Sequence, residues 1–324
     1  MYFPIAHIEI NPFIPPLTAF IISFFTSMGG LSGAFLILPF QVSILGFTSP
    51  AVSATNQLFN IVAIPSGVYH YIKEGRMVWP LTWVVIIGTL PGVLIGAILR
   101  IEYLPNPNHF KLFAGLVLLY IGYRLLINLL NYRNSFSNQK AAEEKFNQIV
   151  KEHYQSSSNQ PSDISTKTPL PRIVIKSFTL NHIIYEFYGQ QFDINVMGIM
   201  ILSLLVGVVG GAYGIGGSAI IAPLLVGFFG LPVYTVAGAA LLGNFITSIA
   251  GVSFYQSIAP FYPTMSVAPD WLLGFLFGIG GFGGMYYGAR LQKFVSAKII
   301  KWVLVSCILV TAGDYIITFF LDEF

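Results

Sequence analysis

The chain has 324 residues, 55% of them hydrophobic and 9% charged, with a formal net charge of +3. A soluble domain carries about 25% charged residues, so this composition excludes a soluble protein. Of the 29 charged residues, 13 fall within 131–195, seven basic and six acidic. That balance leaves no basic surface for nucleic acid, and it divides the remainder into two apolar blocks, roughly 12–130 and 196–320.

The N-terminal MYFPIAHIEINP has no Lys or Arg, so it lacks the basic start of a signal peptide. The first apolar stretch, 13–46, is too long for one span and is interrupted by MGGLSG at Met28–Gly33. Each piece, about 15 residues or about 22 Å of helix, falls short of a hydrocarbon core of about 30 Å. It is therefore either one broken span or a hairpin that dips in and returns. Three further spans follow at 51–72, 78–99 and 108–130. The polar segment 131–195 reads as a linker, and its alternating stretch Arg172–Ile194 is suited to a small β-hairpin on the cytoplasmic face. The second block repeats the pattern: 196–230, interrupted by GGAYGIGG at Gly210–Gly217, then 234–256, 271–291 and 299–320. The expected fold is an all-α polytopic membrane protein of two homologous halves, 1–130 and 196–324, joined by a polar insert, 131–195. Each half has a glycine-broken, re-entrant segment and three transmembrane helices.

The homology is internal and visible. Residues 29–71 align with 213–255 without a gap, with 12 identities that include Gly30/Gly214, Gly33/Gly217, Pro39/Pro223, Asn60/Asn244, Gly67/Gly251 and Tyr71/Tyr255. At an offset of 192, Gly88, Gly92 and Gly96 meet Gly280, Gly284 and Gly288. Glycine at every fourth position gives a flat helix face for close packing.

Basic residues favour the cytoplasmic side. Lys73 and Arg76 follow the second block of the first half, whereas the equivalent loop Gln256–Asp270 has neither Lys nor Arg. The next loop reverses this: Arg290, Lys293, Lys298 and Lys301 crowd it in the second half, against Arg100 and Lys111 with Glu102 in the first. The swap predicts an inverted repeat, which requires each broken segment to return to the side it entered. The insert then faces the cytoplasm and the C-terminal LDEF faces out.

Glycine-interrupted segments at matching positions of inverted repeats mark the binding site of secondary transporters. Helix N-termini offer unpaired N–H groups and partial positive charge, which suits an anion. The substrate-binding candidates are accordingly Gly29, Gly30, Ser32 and Gly33 in the first break, and Gly214, Gly216, Gly217 and Ser218 in the second. The competing reading is that these glycines serve only a tight turn or close packing. Ser53, Asn56, Asn60, Gly67 and Tyr71 share one helical face, as do Asn244, Ser248, Gly251 and Tyr255. A buried amide is costly unless satisfied, so these faces should point inward. Asn56, Asn60 and Asn244 join the candidates, with interhelical hydrogen bonding as the alternative; Thr55 and Thr247 are weaker. Asp314 is the acid well inside an apolar block, a candidate for proton coupling or an interfacial, Tyr-paired acid. Arg124 reads as a snorkelling anchor and His70 as interfacial. There is no Walker A sequence, nucleophile elbow or HExxH, and the lone Cys307 supports no internal disulfide or cysteine metal site. The expectation is a non-enzyme with no cofactor and no metal.

The glycine turn followed by an apolar run to Pro, GGLSGAFLILP and GIGGSAIIAP, resembles the TauE/SafE sulfite exporter family. So do AVSATN at Ala51–Asn56, KEGRMVWP, LPGVLIGA and GFGGMYYGA. The resemblance covers both apolar blocks. It implies a secondary transporter of sulfite, organosulfonates or related small anions in the plasma (inner) membrane, acting without ATP hydrolysis. It carries the glycine-turn role onto Gly29, Gly30, Gly33, Gly214, Gly216 and Gly217. The chain departs from the pattern at Ser32, where another glycine is common, and in its long insert. Expected partners are a small anion and membrane lipid, with a homodimer left open. The alternative from another class is a membrane scaffold or receptor acting through the insert.

Overall fold

The computed structural model describes residues 1–28, 32–73, 75–130, 173–217, 220–291 and 297–323, together with positions 141, 142, 145 and 148. The chain is mostly helical. A two-stranded N-terminal hairpin, β1 (Tyr2–Phe3) and β2 (Ile8–Glu9), precedes α1 (Ile14–Met28) and the short α2 (Ala34–Pro39), which runs into a π-helical turn at Phe40–Ile44. Next come α3 (Ala51–Lys73), α4 (Trp79–Glu102) and α5 (Pro107–Leu130). After the insert, α6 (Val196–Tyr213), α7 (Ile221–Phe229), α8 (Val233–Ile258), α9 (Trp271–Leu291) and α10 (Ala297–Glu323) repeat the series.

Among the described residues, Trp79–Glu102, Val196–Tyr213 and Tyr234–Phe261 are long and apolar enough to cross a membrane. Leu17, Ile21, Ile87, Ile98, Leu205 and Ile279 stand exposed on outward faces, a girdle that water would not tolerate at this extent. The interior is the more polar part: Ser53, Thr55, Asn56, Gln57 and Asn60 of α3 are all fully buried.

Both glycine breaks are real interruptions. In the second, α6 stops at Tyr213 because Gly214 (φ +82°) takes the left-handed conformation that caps it, and its N–H returns to the Gly210 carbonyl at 2.9 Å. The chain doubles back, so the Phe229 ring at the end of α7 lies against Gly198 at the start of α6. In the first break, Gly33 likewise packs against Ser23 and Ile22 of α1. The return helices have six and nine residues, shorter than the sequence suggested. Pro39 explains part of this, since it removes a donor and leaves the Phe35 carbonyl without its helical partner. The Tyr213 hydroxyl donates to that carbonyl at 3.2 Å.

The two glycine stripes are packing surfaces, each used by the other half. Gly88, Gly92 and Gly96 of α4 lie on the backbone of α6 at the carbonyls of Met200, Leu204 and Val208. Gly280, Gly284 and Gly288 of α9 lie on α1 at the carbonyls of Pro16, Phe20 and Phe24. The contacted carbonyls stand at matching positions, since extending the ungapped alignment of 29–71 with 213–255 toward the N-terminus pairs Pro16 with Met200, Phe20 with Leu204 and Phe24 with Val208. Likewise α3 packs on α9, α8 on α4, and α5 on α10.

Contacts fix which helix ends lie together. At one end, Gly238 near the start of α8 lies beside Tyr71 near the end of α3 and Met77. There too the insert forms an antiparallel sheet of three strands, β3 (Val174–Phe178), β4 (His182–Phe187) and β5 (Gln190–Asn195), rather than the expected two. Asn195 ends the sheet and caps α6, accepting from the Gly198 N–H at 2.8 Å. The sheet is docked, not free: Tyr185 is buried and its hydroxyl meets Thr235 Oγ1 at 3.0 Å. Burial pushes the phenols of Tyr185 and Tyr188 up, with Arg76 partly offsetting this for Tyr188. At the opposite end, the Ala51 N–H donates to the Ser266 carbonyl and the Asp270 N–H to Thr55 Oγ1. Tyr262 donates to Glu102 there, and Tyr255 is buried with Ala54 and Ile101. Thus α3 and its mate α8 run in opposite directions between the same two ends.

Candidate functional site

The two breaks meet at the centre, and the buried face of α3 ties them together. Asn56 Nδ2 donates to the Ala34 carbonyl of the first break at 3.0 Å and to the Gly214 carbonyl of the second at 2.9 Å. Its Oδ1 accepts from Gln41 Nε2 at 3.3 Å. Asn60 Nδ2 donates to the Ile215 carbonyl at 2.9 Å, while its Oδ1 accepts from the Ser32 hydroxyl at 2.7 Å. The Ala34 N–H reaches Ser32 Oγ at 3.3 Å. Asn56, Asn60 and Ser32 are therefore engaged in tying α3 to both breaks: the Gly214 and Ile215 carbonyls lie in a non-helical turn, and the Ala34 carbonyl stands at the start of α2. These bonds run from α3 to the breaks and, at Ser32, within the first break.

Asn244, the mate of Asn60, is different. It is 1% exposed, yet neither Oδ1 nor Nδ2 has a partner among the described residues. The reason is legible in the repeat. The residue matching Ser32 is Gly216, which has no hydroxyl to offer and packs directly on the Asn244 amide. Gly216 (φ +85°) adopts a backbone that side chains rarely reach, so the swap to glycine is built into the turn. Beside it, Ser248 Oγ is also buried and unpartnered. Gly217 is placed by its N–H donating to Thr247 Oγ1 at 3.2 Å, and it lies against Thr89 and Val93 of α4. A buried polar group left unpaired costs about 1–3 kcal/mol, so this cluster is not cheap.

Gln57 escaped the sequence reading. It is fully buried, both its amide atoms lack partners among the described residues, and it presses on Gly251 of α8. The signal was the adjacent amide pair Asn56–Gln57. On a helix buried all round, both amides face inward.

Gly29, Gly30 and Ser218 lie outside the described residues. Asp314 is not brought to the crossing: it sits on the exposed face of α10. Arg124 lies over the Phe228 ring, 4.5 Å from its centroid, beside Gly227 at the end of α7. His70 lies near the Tyr286 ring. Arg100 corrects a simpler reading. Placed by sequence in a loop, it is fully buried in the last turn of α4, stacked 3.8 Å from the Phe110 ring centroid. Its guanidinium donates to the Thr48 carbonyl at 2.9 Å and to the Leu104 carbonyl. Asp270, likewise assigned to a loop, is buried and caps α9 by accepting from the Leu273 N–H at 3.0 Å. A groove of about 360 Å³ between α5, α6 and α7 is lined by apolar side chains such as Phe113, Leu116 and Leu205, and it touches none of the crossing residues.

The model of the sulfite exporter TauE/SafE family matches residues 16–315. The chain belongs to the TauE/SafE family. Its match takes in both glycine breaks, both stripes and all of α3 and α8. A TauE/SafE chain is an integral membrane transporter. A curated relative, "Probable membrane transporter protein YdhB" of Bacillus subtilis (strain 168), is 27% identical over 127 residues, which is 39% of this chain and 48% of that protein. The matched part thus spans about half the length of that relative. No solved structure matches the chain.

Proposed function

We propose that this TauE/SafE protein is a secondary transporter of a small anion, a sulfur oxyanion such as sulfite or an organosulfonate. It resides in the plasma membrane and works by alternating access. The site lies where the two breaks cross, between halves inserted in opposite directions with re-entrant hairpins α1–α2 and α6–α7. The observation that carries this reading is the buried, unpartnered Asn244 set against the Gly216 turn. A polar group kept dry and unpaired at the crossing of two interrupted helices is ready for a solute. The opposite run of α3 and α8, and the exchanged docking of α1 and α6, support the inverted arrangement. Asn56, Asn60 and Ser32 hold the crossing in shape; Asn244, Gly216 and Gly217 face the solute.

The test is uptake of labelled sulfite, sulfate and alkylsulfonates into proteoliposomes holding the full chain. At least one anion should accumulate, and Asn244→Ala should reduce that flux at least about tenfold, as loss of a buried polar contact to a ligand does. Equal flux in the variant would remove the site. No flux for any anion would remove the function. A reporter fused after residue 324 should lie outside the cytoplasm; a cytoplasmic signal would refute opposite insertion.

A further inference from the structure

Five buried polar atoms without partners among the described residues form a strip along one face of α8, at Asn244, at Ser248 and at the Gly251 on which Gln57 presses. They are Nε2 and Oε1 of Gln57, Nδ2 and Oδ1 of Asn244, and the Ser248 hydroxyl. Gly216 touches both Asn244 and Ser248, and Gly251, one helical turn beyond Ser248, touches Gln57. The three side chains are at most 1% exposed. Native proteins seldom leave one such group unpaired; five together ask for an occupant that pairs them.

We propose that Gln57, Asn244 and Ser248 form an uncharged subsite that takes a singly charged, monoprotonated oxyanion and rejects the corresponding dianion. The proposal rests on the transport reading above and narrows its substrate. Two lines of chemistry lead to it. First, the strip offers both kinds of group: the amide NH₂ groups and the hydroxyl donate, while the two amide oxygens can only accept. A fully deprotonated oxyanion satisfies the donors and leaves both amide oxygens facing negative charge. An oxyanion that keeps one O–H donates to an amide oxygen and accepts from the rest. Second, no cation lines the strip among the described residues. Desolvation cost rises with the square of the charge, so a dianion costs about four times as much to bring in as a monoanion, with nothing there to offset it. The nearest titratable and charged groups on the packed elements lie toward the ends of the strip or hold other bonds. Tyr255 of α8, whose buried hydroxyl is also without a hydrogen-bond partner among the described residues, lies with Arg100 of α4 near the end opposite the insert. Tyr213 of α6 is bonded to the Phe35 carbonyl. Asp270 at the head of α9 accepts from the N–H groups of Leu273 and Ala6.

The experiment follows labelled sulfite, whose second proton leaves near neutrality, into proteoliposomes of the full chain. Total sulfite is held fixed and pH is matched on both sides. Stepping from one pH unit below neutrality to one above should lower flux several-fold, in step with the monoprotonated fraction. Equimolar sulfate, a dianion throughout, should not compete at the low end, where a merely protein-linked pH effect would leave it a competitor. Gln57→Leu installs the residue that the other half carries at the matching position, Leu241. It should cut flux at least about tenfold while the unfolding temperature holds or rises, because an unpaired amide has been removed. Flux that is flat or rising with pH, competition by sulfate, or undiminished flux in a folded Gln57→Leu would overturn the proposal and leave the transport reading standing. Absence of flux for every anion at every pH would overturn both.

Discussion

The seam between α3 and α8 has two sides that are related by the repeat yet opposite in chemistry. Away from the insert, Gln57 presses on Gly251; toward it, the matching Leu241 presses on the matching Gly67. Ser248 on the polar side corresponds to Ile64 on the other, and Asn56 corresponds to Ala240. The helix positions, the glycines and the terminal tyrosines Tyr71 and Tyr255 are kept, while the lining is exchanged. Duplication therefore fixes where the seam runs, and a handful of substitutions decides which of its arms is polar. The arm toward the insert is apolar where Leu241 lies on Gly67, and the other is polar and unsatisfied.

The comparison breaks most completely if the halves no longer dock. A side chain at Gly92 would meet the backbone of α6, with Val208 N at 2.8 Å and the Gly207 carbonyl carbon at 2.9 Å from its first carbon. Backbone cannot rotate away as a side chain can. Gly92→Val should cost about 3 kcal/mol or more, read as a collapse of the unfolding temperature in detergent together with loss of flux; a variant as stable as the parent would show that the stripe is not a docking surface. A smaller loss is expected from Asn56→Ala, which removes the amide bridging the two breaks. The Gly214 carbonyl, in a non-helical turn, would lose its donor and the Ala34 carbonyl a bond, costing about 2 kcal/mol, and unfolding measured against the parent protein would report it. The smallest effect, and the sharpest comparison, is Leu241→Gln. It writes the polar arm's residue into the apolar arm, where no solute is expected to pair it, and should destabilise by about 1–2 kcal/mol with no gain in sulfite flux. Stability unchanged by Leu241→Gln would erase the difference between the arms.

Much of this architecture could be read from residues alone, because the signals were periodic and repeated. The bounds of α4 and α5 fall within about three residues of the expected spans, and both glycine breaks fall where the sequence placed them. The roles of individual polar residues were less accessible. Asn60 and Asn244 look equivalent in an alignment, yet one is saturated and the other empty, because Ser32 faces the first and Gly216 the second. That difference lives in a contact between residues 28 positions apart. Gln57 was invisible to a one-face argument, since the first half of α3 has no outer face. Arg100 looked like a loop residue because a cation at the edge of an apolar run usually is one; the Phe110 ring and two carbonyls hold it inside. The third strand of the insert, QQFDIN, is too polar to announce itself, and it is recruited by pairing with β4 and by the buried Phe192 and Ile194.

The exchanged seating of α1 and α6 bears on how the chain is made. As the ribosome delivers it, α1 arrives first and has no glycine stripe to rest on until α9 emerges near the end of synthesis, whereas α6 finds α4 already waiting. The earliest hairpin must therefore linger as a guest of lipid or of the insertion machinery through most of translation, and the face that α9 later covers, at Pro16, Phe20 and Phe24, is the one left bare longest. Neither half can complete itself alone; each keeps the seat the other needs.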